Sequence, residues 1–238
     1  MTTPIIEFLE VSVRYEPDEQ PTLADVTFSV AAGERVALIG LNGSGKTTLL
    51  MAAVGLVPHR GGIVVDGIPL GRRTAARIRD RVGFLFNVPE DQLLFPRVAD
   101  DVAFGLLRRG ASPEEARAGA QRALESLGIG DLAVSPVHHL SHGQKQRVAL
   151  AGALAAQPSI LLLDEPSAGL DPPGKRALAR LLSARDAAMI IATHDLEFAR
   201  RVCSRYLVLR DGRIALTGND IDAARSLFRL DDEDEDVR

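Results

Sequence analysis

The sequence predicts an α/β fold, with a mixed sheet around a phosphate-binding loop, an N-terminal antiparallel β subdomain and a helical lobe inserted in the core. Three observations carry this. A short apolar run, Arg35–Ile39, feeds a glycine-rich loop that opens into helical Leu49–Ala53. Two alternating stretches, Ile5–Tyr15 and Thr22–Val30, come before it and read as antiparallel strands rather than a parallel unit. From Asn87 the pattern turns polar and then helical, and strand character returns at Ile160.

The loop is Gly40-Leu41-Asn42-Gly43-Ser44-Gly45-Lys46-Thr47-Thr48. Strand, loop and helix in this order meet the G-x-x-x-x-G-K-[ST] pattern and define a P-loop nucleoside-triphosphatase core. Gly40, Gly43 and Gly45 let the backbone curl so that the N–H groups from Asn42 to Thr48 converge on an anion, with Ser44 among them. The helix that opens at Gly45 adds its unpaired amides and its positive dipole end. Lys46 is placed to reach the β- and γ-phosphates, and the Thr47 hydroxyl to ligate Mg²⁺. These residues predict an ATP-type triphosphate site with Mg²⁺ as its ion.

Taken in order, Glu16-Pro17-Asp18 reads as the turn between the first two strands. Tyr15, at the end of the first, can lay its ring against a base or cap a core edge equally well. Gly55 and Pro58 stop the loop helix, and Gly62–Gly67 reads as a strand with a tight turn. Arg77–Arg81 is a short basic helical piece and Val82–Phe86 a buried strand. Helical spacing follows over Val98–Leu107 and Pro113–Leu127, the latter with Ser112 as cap, proline in the first turn and two glutamates beside the dipole. The lobe is placed at about 87–139. Ser141 opens a helix through Ala155, Ile160–Leu163 is a buried strand, and Gly174–Ala184 is helical. Met189–Thr193 is a strand, Leu196–Val202 a helix, and Asp211-Gly212 the turn of a final hairpin. Residues 1–228 form one domain by this reading, and the acidic run in 229–238 a solvated tail.

Bulk properties set limits. A length of 238 residues accommodates one large α/β domain, and 46% hydrophobic with 25% charged residues is ordinary for a globular chain. A formal net charge of −4 provides no basic footprint, so no nucleic-acid partner is expected. The single cysteine, Cys203, excludes an internal disulfide and reads as a small buried residue. Thr2-Thr3-Pro4 leads straight into strand-like sequence without a signal peptide, and no apolar run approaches the roughly 20 residues of a membrane span. Work at a membrane would need a partner to hold the chain there.

The second half of the site follows Ile160–Leu163. Asp164, at the mouth of that strand, is placed as the Walker B carboxylate that holds Mg²⁺, and Glu165 to orient or deprotonate an attacking water. Together with the P-loop these residues make the chain resemble the nucleotide-binding subunit of the ATP-binding-cassette (ABC) ATPases over about residues 5–217. Leu140-Ser141-His142-Gly143-Gln144 resembles the signature LSGGQ, Ser167-Ala168-Gly169-Leu170-Asp171 the D-loop, and His194 the switch histidine. Tyr15 falls where the family's adenine-stacking aromatic lies. The resemblance implies a head-to-tail pair of cassettes, in which Ser141, Gly143 and Gln144 act on the partner chain's ATP. It also implies a second ABC ATPase chain, identical or related, as a partner.

Phe86–Leu93, Val98–Gly105 and Lys145–Gly152 are similar to the cobalt/nickel and energy-coupling-factor importers within that family. That similarity implies a transmembrane coupling subunit and a peripheral place on the cytoplasmic side of the cell membrane. The short segment after Thr217 points to the metal-ion branch. Two positions depart from the family pattern. Asn87 stands for the Q-loop glutamine, which senses the metal and the membrane partner, and His142 stands for the third signature glycine. The competing class is an ABC ATPase acting on nucleic acid or the ribosome, which usually carries a long coiled-coil insertion or two cassettes in tandem.

Overall fold

The computed structural model describes residues 3–16 and 20–227. Pro17 and Asp18 of the expected first turn, and the acidic run in 229–238, lie outside the described residues. The chain forms β1 (Pro4–Val13), β2 (Leu23–Ala31), β3 (Arg35–Ile39), α1 (Lys46–Ala53), β4 (Arg60–Val65) and β5 (Ile68–Pro69). It continues with α2 (Ala75–Arg79), β6 (Val82–Leu85), α3 (Val98–Arg108), α4 (Pro113–Ser126) and α5 (His142–Ala155). Last come β7 (Ile160–Asp164), α6 (Pro172–Ser183), β8 (Ala188–Thr193), α7 (Leu196–Val202), β9 (Arg205–Arg210) and β10 (Arg213–Gly218).

The strands make two sheets, one of order β2-β1-β4-β5 and one of order β10-β9-β3-β8-β7-β6. The first is antiparallel throughout. In the second only β10 runs against its neighbour, so the mixed character comes from the closing hairpin, while β1 and β2 belong to the separate sheet. The physical reason is connection length: β1 and β2 are joined closely enough to pair with each other, whereas β3 is flanked by strands from the far end of the chain. At the hairpin tip Asp211 and Gly212 both have positive φ, 46° and 71°, which suits a two-residue turn between twisted strands.

Period-two alternation divides the buried strands between two cores. Val36 and Leu38 of β3, with Ile160 and Leu162 of β7, face the antiparallel sheet and α1. Ala37, Ile39, Leu161 and Leu163 face α5, α6 and α7. Strands buried on both faces read as unbroken apolar runs, which is why β7 shows no alternation in sequence. A third core joins Val98, Val102, Ala116, Ala120 and Leu124 of α3 and α4 to Val148 and Ala151 of α5. Helix α5 is therefore shared: Ala149, Leu150 and Leu154 on its other side belong to the core beneath the sheet.

Side-chain caps set the starts of α4, α5, α6 and α7. Ser112 Oγ accepts from Glu115 N at 3.2 Å while Glu115 Oε2 accepts from Ser112 N at 2.8 Å, a reciprocal box. Cys203 caps the end of α7, and burial pushes its thiol up to about 12. Among the described residues no helix is long and apolar enough to cross a membrane.

Candidate active site

The P-loop runs from the end of β3 to the start of α1. Its backbone packs too closely to admit side chains at two glycines. A Cβ on Gly40 would lie 2.5 Å from both Leu209 O and Ser44 Oγ, and Gly45, at φ +101°, would meet Leu23 Cδ2 at 2.7 Å. Lys46 is 6% exposed, and its Nζ donates to Gly40 O at 2.7 Å and Leu41 O at 2.9 Å. Burial lowers its pKa, with Glu165 and Asp164 opposing that shift. Ser44 Oγ is buried with no hydrogen-bond partner among the described residues. A loop whose cation is satisfied by its own carbonyls and whose hydroxyl is orphaned fits a phosphate, which would supply acceptors to both.

The P-loop meets β7 at Thr47, whose Oγ1 donates to Asp164 Oδ2 at 2.5 Å. Asp164 is 1% exposed, and burial raises its carboxyl above the usual range, partly offset by the Thr47 hydroxyl and by Lys46. A hydroxyl and a carboxylate oxygen are hard ligands suited to Mg²⁺ beside a phosphate. A carboxyl raised in the folded state contributes stability below its unfolded value, and that contribution is lost as pH rises through the folded value. Above that value the nucleotide-free chain carries the cost of a buried carboxylate. Asp164→Asn is expected to raise the melting temperature of the nucleotide-free chain at pH 7.5 by about 2–4 °C. The gain should shrink as pH falls, and the further rise on adding MgATP should disappear. Thermal melts at pH 7.5 and below, with and without MgATP, check this; an unchanged MgATP-dependent rise would remove Asp164 from the metal site.

Glu165 follows with φ 48°, in the region that ordinarily favours glycine. Its backbone is held there on both sides, because its N–H donates to Ala192 O at 2.9 Å and its carbonyl accepts from Gln146 Nε2 at 3.4 Å. The carboxylate is turned toward the end of β8. Oε1 accepts from His194 N at 3.1 Å and lies 2.8 Å from His194 Nδ1, while Oε2 accepts from Thr193 Oγ1 at 3.0 Å. Glu165 is 6% exposed, whereas the His194 side chain is largely open to solvent.

Lys46, Thr47 and Asp164 thus converge, Glu165 and His194 form a second pair beside them, and Tyr15 OH lies 3.3 Å from Thr48 Oγ1. Asn42 and Gly43 are exposed at the loop tip. Ser141 and Gln144 instead cap their own helix: Ser141 Oγ accepts from Gln144 N at 3.3 Å and Gln144 Oε1 from Ser141 N at 2.8 Å. Gly143 packs on the D-loop, with space for a Cβ only 3.3 Å from Gly169 O. Asn87 is exposed and makes no side-chain hydrogen bond among the described residues. Its neighbour Gln92 spans the junction, accepting from Phe86 N at 3.1 Å and donating to Ala149 O at 2.9 Å.

Sequence reasoning misses Thr193, which orients Glu165, and Gln146, which holds its backbone. It also misses the brace at Asp195, which caps α7, pairs with Lys175 at 2.6 Å and accepts from Ser167 at 3.4 Å. Burial acts against that carboxyl, but these partners hold it below the usual carboxylate range. Asp195 following His194 is the available signal for a helix cap.

A phosphate cradle at a helix N-terminus, with a hydroxyl–carboxylate pair at the neighbouring strand end, defines a P-loop nucleoside triphosphatase. The sequence profile of the family described as ABC transporter matches residues 23–168, and the chain belongs to that family. It is an Mg²⁺-dependent ATPase of the ABC type and a transporter's ATPase subunit. A Streptomyces coelicolor protein, provisionally named as an ABC transporter ATP-binding protein, is 47% identical over 85% of this chain and 78% of its own length. The energy-coupling factor transporter ATP-binding protein EcfA of Methanocaldococcus jannaschii is 39% identical over 90% of this chain and 78% of its own. Among solved structures, cbiO1 of Clostridium perfringens, part of the ABC transporter complex cbiONQ, matches with TM-score 0.79 and 34% identity over 94% of this chain and 91% of that one.

Proposed function

We propose that this chain is the ATP-hydrolysing subunit of an importer of the energy-coupling-factor or cobalt/nickel type, peripheral on the cytoplasmic face and paired with a second ATPase chain. Lys46, Thr47 and Asp164 hold MgATP, Tyr15 stacks on the base, and Ser141, Gly143 and Gln144 meet the nucleotide of the partner chain. Glu165, released from Thr193 and His194, takes the proton of the attacking water, and His194 turns to the γ-phosphate. Mg²⁺ held by Thr47 and Asp164 would supply charge neutralisation at the phosphates. Asn87 senses the metal and the membrane partner.

The observation that carries the transport reading is an open groove of about 180 Å³ between the edge strand β6 and helix α3. Phe84, Phe95 and Phe104 line it, Leu94 is 72% exposed at its rim, and Gln92 connects it to the signature helix. Asp101 holds the segment at that rim, accepting from Leu94 N at 2.7 Å and Phe95 N at 3.0 Å. A groove lined by aromatic rings together with Arg79, Asp80, Arg108 and Arg109, beside a hydrogen-bonded link to the catalytic helix, is suited to an amphipathic helix of a transmembrane subunit. Similarity to EcfA and cbiO1 supports the choice of importer.

Gly105 offers a clean test, because a Cβ there meets nothing within 4 Å and the position lines the groove. Gly105→Arg fills the channel without disturbing the fold. Co-purification with the transmembrane subunit from detergent extracts is expected to fall by about tenfold, with ATP binding by the isolated chain unchanged. Undiminished co-purification would place the docking surface elsewhere.

A further inference from the structure

A cleft of about 660 Å³ opens between α5 and α6, bordered by residues 126–128 and by the D-loop. It shares no lining residue with the groove beside β6, and Lys46, Thr47, Asp164 and Glu165 are not in its wall. Leu127, Leu150, Leu170, Leu178 and Leu181 give it an apolar body, and its size is that of a small-molecule site.

The polar groups in the wall are few and uncommitted. Gln146 of α5 is 1% exposed, and its Nε2 donates to Glu165 O at 3.4 Å. That bond fixes which end of the amide is oxygen, and Oε1 is buried with no hydrogen-bond partner among the described residues. A buried acceptor left unpaired is costly, and a donor arriving in the cleft would remove that cost. Arg147 and Arg180 line the same cleft. Neither guanidinium meets a carboxylate among the described residues, and Arg147 donates only to backbone, from Nε to Gly143 O at 3.4 Å. Asp171, the carboxylate on the lining, already commits Oδ1 to Gly174 N at 2.9 Å as the cap of α6.

We propose that this cleft is a binding site for a small amphipathic anion, with its apolar body on the leucines, one N–H on Gln146 Oε1 and its anionic group on Arg147 and Arg180. Each part answers a group that the fold leaves open. A polyphosphate or a sugar would leave the leucines unmatched, and a two-chain lipid exceeds a cavity of this size. The site is built by one chain, so it needs neither the paired ATPase nor a membrane subunit. Gln146 also ties it to the proposed base, because the same amide holds the backbone of Glu165.

The test is a fluorescence titration of the full chain with anilinonaphthalene sulfonate, which joins two apolar ring systems through one N–H and carries one anionic group. Saturable binding of one probe per chain is expected, displaced by N-decanoylglycine and not by decyltrimethylammonium, which has the chain but the opposite charge. Ala177, exposed on α6, lines the cleft, so Ala177→Trp fills it from the surface. Ala177→Trp, and separately Arg147→Gln combined with Arg180→Gln, should each weaken probe binding by about tenfold. Gly105→Arg, which fills the groove beside β6, should leave it unchanged, and melting curves show that each variant is folded. Unchanged affinity in either folded cleft variant overturns the proposal, as do absence of saturable binding and displacement by the cation as readily as by the anion. Loss of binding in Gly105→Arg alone places the probe in the other groove and has the same result. Probe binding that falls as chain concentration rises would make a second copy of this chain the occupant, and the small-molecule assignment would fail.

Discussion

Glu165→Gln is expected to lower steady-state ATP turnover by about two to three orders of magnitude while leaving ATP binding intact. The change is small in shape and large in chemistry. The carboxamide oxygen can still accept from His194 N, and the carboxamide nitrogen can donate to Thr193 Oγ1, whose hydroxyl already accepts from Asp195 N at 3.0 Å and has a second lone pair. The positive φ of residue 165 is held by backbone and Gln146 contacts that do not involve the carboxylate. The fold is therefore kept, and what is lost is an acceptor able to take a proton from water. Single-turnover hydrolysis should slow with the steady state, and MgATP should leave a paired species that elutes early in gel filtration. Turnover equal to wild type would remove Glu165 from the base role.

Lys46→Ala is expected to weaken ATP affinity by about a hundredfold, the scale of losing charge-assisted hydrogen bonds inside a shielded site. The described residues place no other ammonium or guanidinium on the loop carbonyls of Gly40 and Leu41. Removing a buried cation also relieves its own desolvation, so the variant should stay folded and its melting curve serves as the control. The same variant tests whether sites are shared. In an equimolar mixture of Lys46→Ala and Ser141→Arg chains, half of the pairs are mixed, and each mixed pair rebuilds one of two sites. Turnover should recover to about a quarter of wild type, and recovery no greater than either variant alone would speak against sites built across two chains.

The parts legible in sequence are those whose chemistry is local. The P-loop is readable because strand, glycines, Lys46 and Thr47 are contiguous, and the start of α4 because Ser112 and Glu115 satisfy each other three residues apart. The same spacing in Ser141 and Gln144 reads in sequence as a helix start and a signature, and the structure adds the reciprocal capping box between the two side chains. Asn87 and Gln92 show the limit in another way. Both lie in one loop, and only the fold reveals that Gln92 bridges to Ala149, 57 positions away, while Asn87 faces solvent. Thr193 is out of reach for the same reason, since its role depends on β8 lying beside β7 in register, with Asp164 opposite Ala192. The N-terminal antiparallel subdomain is legible, but the order of its strands is not, because period-two alternation specifies a buried face without naming the neighbour.

The place of β3 in its sheet bears on how the chain comes into being. Its two neighbours arrive last in synthesis: Arg35 pairs with Met189 and Val36 with Arg205. β1 and β2 can join as soon as both have emerged, but the strand that carries the phosphate loop waits for some 150 further residues before its edges are covered. Leu209, close behind Gly40 and Gly45, is later still. A nascent or truncated chain ending before β9 would thus own every residue of the nucleotide cradle and lack the braces that shape it. Competence to bind nucleotide is therefore expected to arrive with β9, and a chain truncated before Arg205 should show no MgATP-dependent rise in melting temperature.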